Sequence, residues 1–219
     1  TNVEMSFNIA IDGPAGAGKS TIARRLAEKI SFIYVDTGAM YRAMAYYFLT
    51  HQISAEDEDA LRKACDDIQI ELSYRDGVQK VILNGEDISG EIRKEEVGNM
   101  ASATSGYSFV REKLLSLQQD LAARNNVIMD GRDIGTCVLP DAQLKVYLTA
   151  GVYTRAMRRY KELTEKGVAC DLDEIAKDIK ERDYRDMHRE IAPLKAAKDA
   201  EVLDSSDMDI DQVVDAIYG

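Results

Sequence analysis

An apolar run, Phe7–Asp12, leads into Gly13-Pro14-Ala15-Gly16-Ala17-Gly18-Lys19-Ser20-Thr21, and a helical pattern continues from Ser20 to Ile30. A Gly-x-x-x-x-Gly-Lys-Ser segment set between a strand and a helix constrains this chain more than any other feature. Its glycines let the backbone curl until successive N–H groups face inward, and the helix behind them adds partial positive charge. Such a loop cradles phosphate groups. In that reading Lys19 reaches the β- and γ-phosphates of a bound ATP, and the Ser20 hydroxyl helps to hold Mg²⁺, partly through water. The expected ATP-binding set is Gly13, Pro14, Ala15, Gly16, Ala17, Gly18, Lys19, Ser20 and Thr21.

Short β-branched apolar runs recur along the chain at Phe7–Asp12, Phe32–Asp36, Val127–Asp130, Leu144–Thr149 and Glu201–Asp204, and helical patterns such as Arg111–Arg124 lie between most of them. Continuous apolar strands alternating with helices predict a parallel sheet covered on both faces, with right-handed crossovers. Four of the runs end in Asp12, Asp36, Asp130 or Asp204. Ligands of open α/β sheets collect at those carboxyl ends, although a strand leaving into a polar loop has the same pattern. The rhythm breaks between about residues 39 and 100. There Ile68–Tyr74, a turn at Arg75-Asp76-Gly77, and Gln79–Leu83 read as a hairpin, with Asn84-Gly85 as a further turn signal. An inserted subdomain with its own antiparallel sheet is expected. Thr1–Glu4, ahead of Met5, read as a segment outside the fold.

The 219 residues suit one domain with insertions, and 45% hydrophobic residues support an ordinary core. Cys65, Cys137 and Cys170 are far apart and contain no Cys-x-x-Cys pair, which argues for free thiols rather than a zinc site. A net charge of −11 disfavours non-specific binding to nucleic acid or an anionic membrane. No apolar run has transmembrane length. Against this acidic background two basic clusters stand out, Arg155, Arg158, Arg159 and Lys161, then Arg182, Arg185 and Arg189. Together they point to a compact anionic ligand. Arg155, Arg158 and Arg159 also fit the polar side of a helix whose Met157, Tyr160 and Leu163 pack inward. Positions 182, 185, 186 and 189 share one helical face, as a salt-bridged solvated face would.

Phosphate loops also serve switches and motors. A guanine-reading Asn-Lys-x-Asp is absent, and Val127-Ile-Met-Asp130 is followed by Gly131 rather than by the Glu many ATPase motors carry. A small-molecule kinase is the better reading.

Five segments carry a closer likeness: Gly13–Thr21, Asp36-Thr-Gly-Ala-Met-Tyr-Arg42, Gly85-Glu-Asp-Ile-Ser-Gly-Glu-Ile-Arg93, Asp130-Gly-Arg-Asp-Ile-Gly-Thr136 and Lys180-Glu-Arg-Asp-Tyr-Arg-Asp-Met-His-Arg189. In this order and spacing, from Phe7 to its end, the chain resembles bacterial-type cytidylate kinases of the nucleoside monophosphate kinase family. The resemblance implies a P-loop NTPase-type three-layer α/β fold with a five-stranded parallel sheet. Residues 5–38, 101–154 and 171–219 would form the core, 39–100 a monophosphate-binding insertion and 155–170 a helical lid. It implies a cytoplasmic enzyme that takes ATP, Mg²⁺ and CMP or dCMP, with no nucleic acid, membrane or obligate protein partner.

The resemblance also assigns roles. Arg42, Arg132 and Arg189 would clamp the acceptor phosphate, a task suited to planar guanidinium forks. Thr37 would donate to a phosphate oxygen beside Asp36. Ser102, Arg111 and Asp133 would read cytosine, whose edge offers an amino donor beside N3 and O2 acceptors. Arg182 and Asp186 would meet the sugar. Lys19, Arg132, Arg158, Arg159 and Arg189 would neutralise charge during transfer. Ala15 stands where some relatives carry Ser, so backbone N–H groups are expected to carry that part of the loop. Kinases of UMP or shikimate are the rival enzymes, and an ATP-sensing module without turnover is the rival of another class.

Overall fold

In the strand β1 (Asn8–Asp12) every residue from Ile9 to Asp12 is buried, so neither face meets water and apolar alternation is absent. The computed structural model describes residues 6–14, 17–75, 78–131, 133–188, 196–206, 208 and 210–218. By packing, the chain forms two compact units. One contains Ser6 and Val35–Asn125; the other contains Phe7–Tyr34 and the chain from Asn126 onward.

The second unit is organised by β1. Its sheet has the order β2-β6-β1-β7-β8, with β2 at Ile33–Val35, β6 at Val127–Gly131, β7 at Leu144–Thr149 and β8 at Glu201–Asp204. β1 pairs parallel with β6, Asn8 opposite Val127, and with β7, Ile9 opposite Leu144. β7 pairs parallel with β8, and the whole is the five-stranded parallel sheet expected. Helix α1 (Lys19–Ile30) buries Ile22, Ala23, Leu26 and Ala27, a single stripe at helical spacing. That stripe meets Ile9, Ile11, Ile128, Val146 and Leu148 in one core cluster, with Ile217 of α8 (Ile210–Tyr218) at its edge. Strand side chains alternate, so Ala10 and Asp12 point to the other face. A π-helical turn, Ile134–Val138, contacts β1 there. Helices α6 (Val152–Glu165) and α7 (Leu172–His188) pack on each other and are joined through a turn at Gly167.

The first unit holds α2 (Thr37–Thr50), α3 (Glu58–Cys65), the strands β3 (Ile70–Arg75), β4 (Val78–Leu83) and β5 (Glu86–Asp87), then α4 (Glu95–Thr104) and α5 (Ser108–Arg124). β3 and β4 pair antiparallel from Ile70 opposite Leu83 to Arg75 opposite Val78, which is the expected hairpin; Asp76 and Gly77 lie outside the described residues. Asn84 and Gly85 both have positive φ, 48° and 86°. Two left-handed residues in succession make the tight turn that returns β4 into β5. Val110, Leu114, Leu117, Gln118 and Leu121 form the buried stripe of α5, and α5 packs on α3 and β3. This unit therefore extends beyond the 39–100 interruption seen in the sequence. No helix of the described residues is long and apolar enough to cross a membrane.

Candidate active site

The phosphate loop leaves β1 where two strand ends crowd it. Gly13 N–H donates to Gly131 O at 3.2 Å, and a Cβ on Gly13 would lie 2.0 Å from Leu148 O. Only glycine fits. Ala17 N–H returns to Pro14 O at 3.4 Å, and Lys19 Nζ donates to the same carbonyl at 3.0 Å. Ser20 and Thr21 are exposed on the first turn of α1. Ala15 and Gly16 lie outside the described residues.

Beside the loop, Asp12 is 3% exposed. It accepts the N–H groups of Ile134 at 2.8 Å and Gly135 at 2.7 Å. Burial pushes its carboxyl above the ordinary 3.8, and those two N–H groups and nearby Lys19 oppose the rise. A Cβ on Gly135 would stand 3.2 Å from Asp12 Oδ2 and 3.3 Å from Lys145 Cδ, so this turn sits hard against the strand. Asp12 thereby fixes the segment that begins at Asp133, the N-terminal flank of the turn. The sequence marked Asp12 only as an acid at a strand end; its two partners are more than a hundred residues away. Asp133 is half-buried and Arg132 lies outside the described residues. Asp130 accepts the Tyr34 hydroxyl at 2.6 Å.

The arginines of α6 have different surroundings. Arg155 is 3% exposed; its guanidinium forks onto Asp183 of α7 at 2.8 and 2.5 Å, and Nε donates to Ala150 O. Met157 and Tyr160, expected to pack inward if the arginines formed the polar side, are 40% and 36% exposed. The correction has a simple cause. A bidentate carboxylate on α7 compensates a buried guanidinium, and the helix turns to keep that pair inside. Nothing in the sequence singled out Asp183. Arg158 lies against the loop, donating to Ser205 O at 2.7 Å and to Ala17 O at 3.4 Å. Arg159 is exposed and pairs with Glu162 of its own helix at 3.2 Å. Arg182 and Arg185 are exposed on α7; the side chain of Asp186 and all of Arg189 lie outside the described residues.

In the other unit, Asp36 caps α2, its Oδ1 accepting from Ala39 N–H at 3.2 Å. Thr37 opens that helix and accepts the Gln118 amide at 3.2 Å, a partner that the sequence reading passed over. Arg42 is exposed one turn along. Ser102 and Arg111 are each tied to Ser105 in the α4–α5 turn: Arg111 Nε donates to Ser105 O at 2.9 Å, and Ser105 Oγ donates to the Ser102 backbone O at 3.4 Å.

Comparison with known proteins places these residues in a family. The chain matches the cytidylate kinase family over residues 9–219. It is similar to the cytidylate kinase of Caldicellulosiruptor saccharolyticus, 49% identical over 211 residues that cover 96% of this chain and 93% of that protein. The cytidylate kinase of Shouchella clausii is also 49% identical, covering 96% of this chain and 94% of its own length. Among solved structures, an uncharacterized protein from Eubacterium ventriosum superposes with a TM-score of 0.52 at 13% identity, covering 97% of this chain and 96% of that one, a likeness of fold alone. With the match running from residue 9 to residue 219 and nearly half of all residues shared with named members, the chain belongs to the cytidylate kinase family.

Proposed function

We propose that the protein transfers the γ-phosphoryl group of ATP, bound as its Mg²⁺ complex, to a phosphate oxygen of CMP or dCMP, giving ADP and CDP or dCDP. The observation that carries this reading is the pair of cations on one glycine-built loop, with Lys19 on Pro14 O at 3.0 Å and Arg158 within 3.4 Å of Ala17 O. The family match supports the choice of acceptor.

The residues present suit a metal–nucleotide complex. Gly13, where Leu148 O leaves no room for a Cβ, seats the loop tightly against β7 at the head of α1, and the exposed Ser20 hydroxyl there is a hard oxygen donor. When bound with ATP, Mg²⁺ neutralises charge on the β- and γ-phosphates. Within the protein, Lys19, Arg132, Arg158, Arg159 and Arg189 meet the negative charge of the transferred group. Thr37, Arg42, Arg132 and Arg189 hold the acceptor phosphate beside the Asp36 cap, Ser102, Arg111 and Asp133 read the base, and Arg182 and Asp186 meet the sugar. Residues 39–100 act as the acceptor-binding insertion and 155–170 as a lid that keeps water from competing. An acceptor phosphate oxygen is already a nucleophile, so catalysis rests on positioning and charge neutralisation, without a general base or covalent intermediate.

A coupled ADP-release assay over CMP, dCMP, UMP, AMP and shikimate tests the reading, with Lys19→Met as the control. CMP and dCMP should turn over fastest, and folded Lys19→Met should lose about a hundredfold or more in kcat. Equal rates with UMP or AMP would sink the acceptor assignment, and normal turnover in Lys19→Met would remove that lysine from the mechanism.

A further inference from the structure

Six polar or charged side chains are buried among the described residues: Asp12, Thr104, Gln118, Lys145, Arg155 and Ser205. Five have partners that brace the fold. Asp12 holds a turn, Thr104 bonds its own helix at Met100 O, Lys145 ties Pro140 O and Asp199, Arg155 pairs with Asp183, and Ser205 closes on Thr149 O. Gln118 differs. It is 5% exposed on the apolar stripe of α5, between Leu117 and Leu121, where a leucine or methionine would fill the same space. Its amide instead reaches across 81 positions of sequence to donate to Thr37 Oγ1 at 3.2 Å.

That bond sets the direction of a hydroxyl. Threonine Oγ1 carries one proton and two lone pairs, and a lone pair is already engaged by the Gln118 N–H. The Thr37 proton must then point elsewhere, and a phosphate dianion is an acceptor only. A β-branched side chain has few χ1 choices, so one fixed contact also holds Oγ1 in place. Thr37 stands at the first position of α2, whose N-terminal N–H groups favour the same anion.

We infer that Gln118 is a positioning residue for the acceptor phosphate: its amide donates to Thr37 Oγ1, so that the Thr37 hydroxyl is oriented as a donor to the CMP phosphate. The inference rests on the assignment of Thr37 to that phosphate. A buried glutamine at this point serves ground-state binding of the acceptor and leaves the ATP side untouched.

The test is steady-state kinetics with CMP and with ATP varied separately, on Thr37→Val, Gln118→Met, Gln118→Glu and Thr37→Val/Gln118→Met, each checked for fold by circular dichroism and thermal melting. Loss of one hydrogen bond to a charged group amounts to about tenfold. Gln118→Met should raise the CMP KM by about that factor with the ATP KM unchanged. Gln118→Glu, of the same size but an acceptor, should be worse than Gln118→Met, because it draws the Thr37 proton away from the phosphate. In the Thr37→Val background Gln118→Met should add no further loss. A CMP KM unchanged by Gln118→Met, losses that multiply in the double variant, or equal effects of Met and Glu would each overturn the inference while Thr37 keeps its place. An unchanged CMP KM in Thr37→Val would instead overturn the Thr37 assignment, and the inference with it.

Discussion

Asp12 shows how a single carboxylate can join two parts of a site. Its oxygens hold Ile134 and Gly135, and through them the segment carrying Asp133, while burial raises its pKa above 3.8. An acid with a raised pKa in the folded state binds its proton more tightly folded than unfolded. Its contribution to stability is therefore complete below the ordinary value and declines as pH climbs to the raised one. Denaturation of wild type and Asp12→Asn across pH 3–8 should show wild type losing stability relative to the variant over that window and a flat difference above it. A difference independent of pH would contradict the account. Arg158 and Arg159 are adjacent in sequence yet differ in surroundings, one against Ala17 and Ser205, the other exposed beside Glu162. We expect Arg158→Ala to depress kcat by about tenfold or more and Arg159→Ala to cost less. Equal full turnover in both would remove these side chains from the mechanism and leave Arg158 a purely structural contact. At this scale the sequence disclosed residue types but not partners. Lys19 was legible because its loop has a fixed spacing, whereas Gln118 was hidden in a stripe of leucines whose hydroxyl partner lies on another helix.

The helical hairpin of α6 and α7 is held by a pair that no local pattern reveals. Arg155 and Asp183 have side-chain exposures of 4% and 16%, and the guanidinium is bidentate. Removing one partner leaves a buried charge without compensation, at a cost of about 3 kcal/mol. Asp183→Ala should show that loss in urea denaturation, and Arg155→Met added to it should recover a large part. A single-variant change within about 0.5 kcal/mol would place the pair among weak surface bridges. Elements themselves were well marked in the sequence. Apolar runs such as Val127–Asp130 became strands because a parallel strand buried on both faces must be apolar throughout, and Asn84-Gly85 announced its turn because few residues accept two positive φ values. The facing of α6 departs, for a physical reason, from the alternative in which Met157, Tyr160 and Leu163 pack inward: Met157 and Tyr160 mark an inward face only if no guanidinium finds a buried counter-ion.

Across the whole molecule, the residues proposed to meet the acceptor belong to elements with different physical origins. Arg111 and Ser102 sit at one helix–helix turn, and Asp133 follows β6. UMP presents a carbonyl where CMP presents an amino group and an N–H where CMP presents N3. Under the proposed assignment of base reading to Asp133 and Arg111, UMP would leave polar groups unsatisfied, at about 1–3 kcal/mol for each. Asp133→Ala and Arg111→Met should raise the CMP KM and narrow the CMP/UMP gap in kcat/KM, with ATP affinity little changed. An unchanged ratio would pass base reading to Ser102 or to backbone groups. The ordered segments from Gly13 to Arg189 made the family legible in the sequence, because several motifs in a fixed order are far more specific than one loop alone. The long-range bonds that steady those motifs were not legible, since they depend on which buried faces meet. The central claim is transfer of a phosphoryl group from ATP to CMP, and its most direct measurement follows the label. With γ-labelled ATP, Mg²⁺ and CMP, the account predicts label in the β-phosphate of CDP, dependent on CMP and abolished in Lys19→Met. Label accumulating as inorganic phosphate whether or not CMP is present would contradict it.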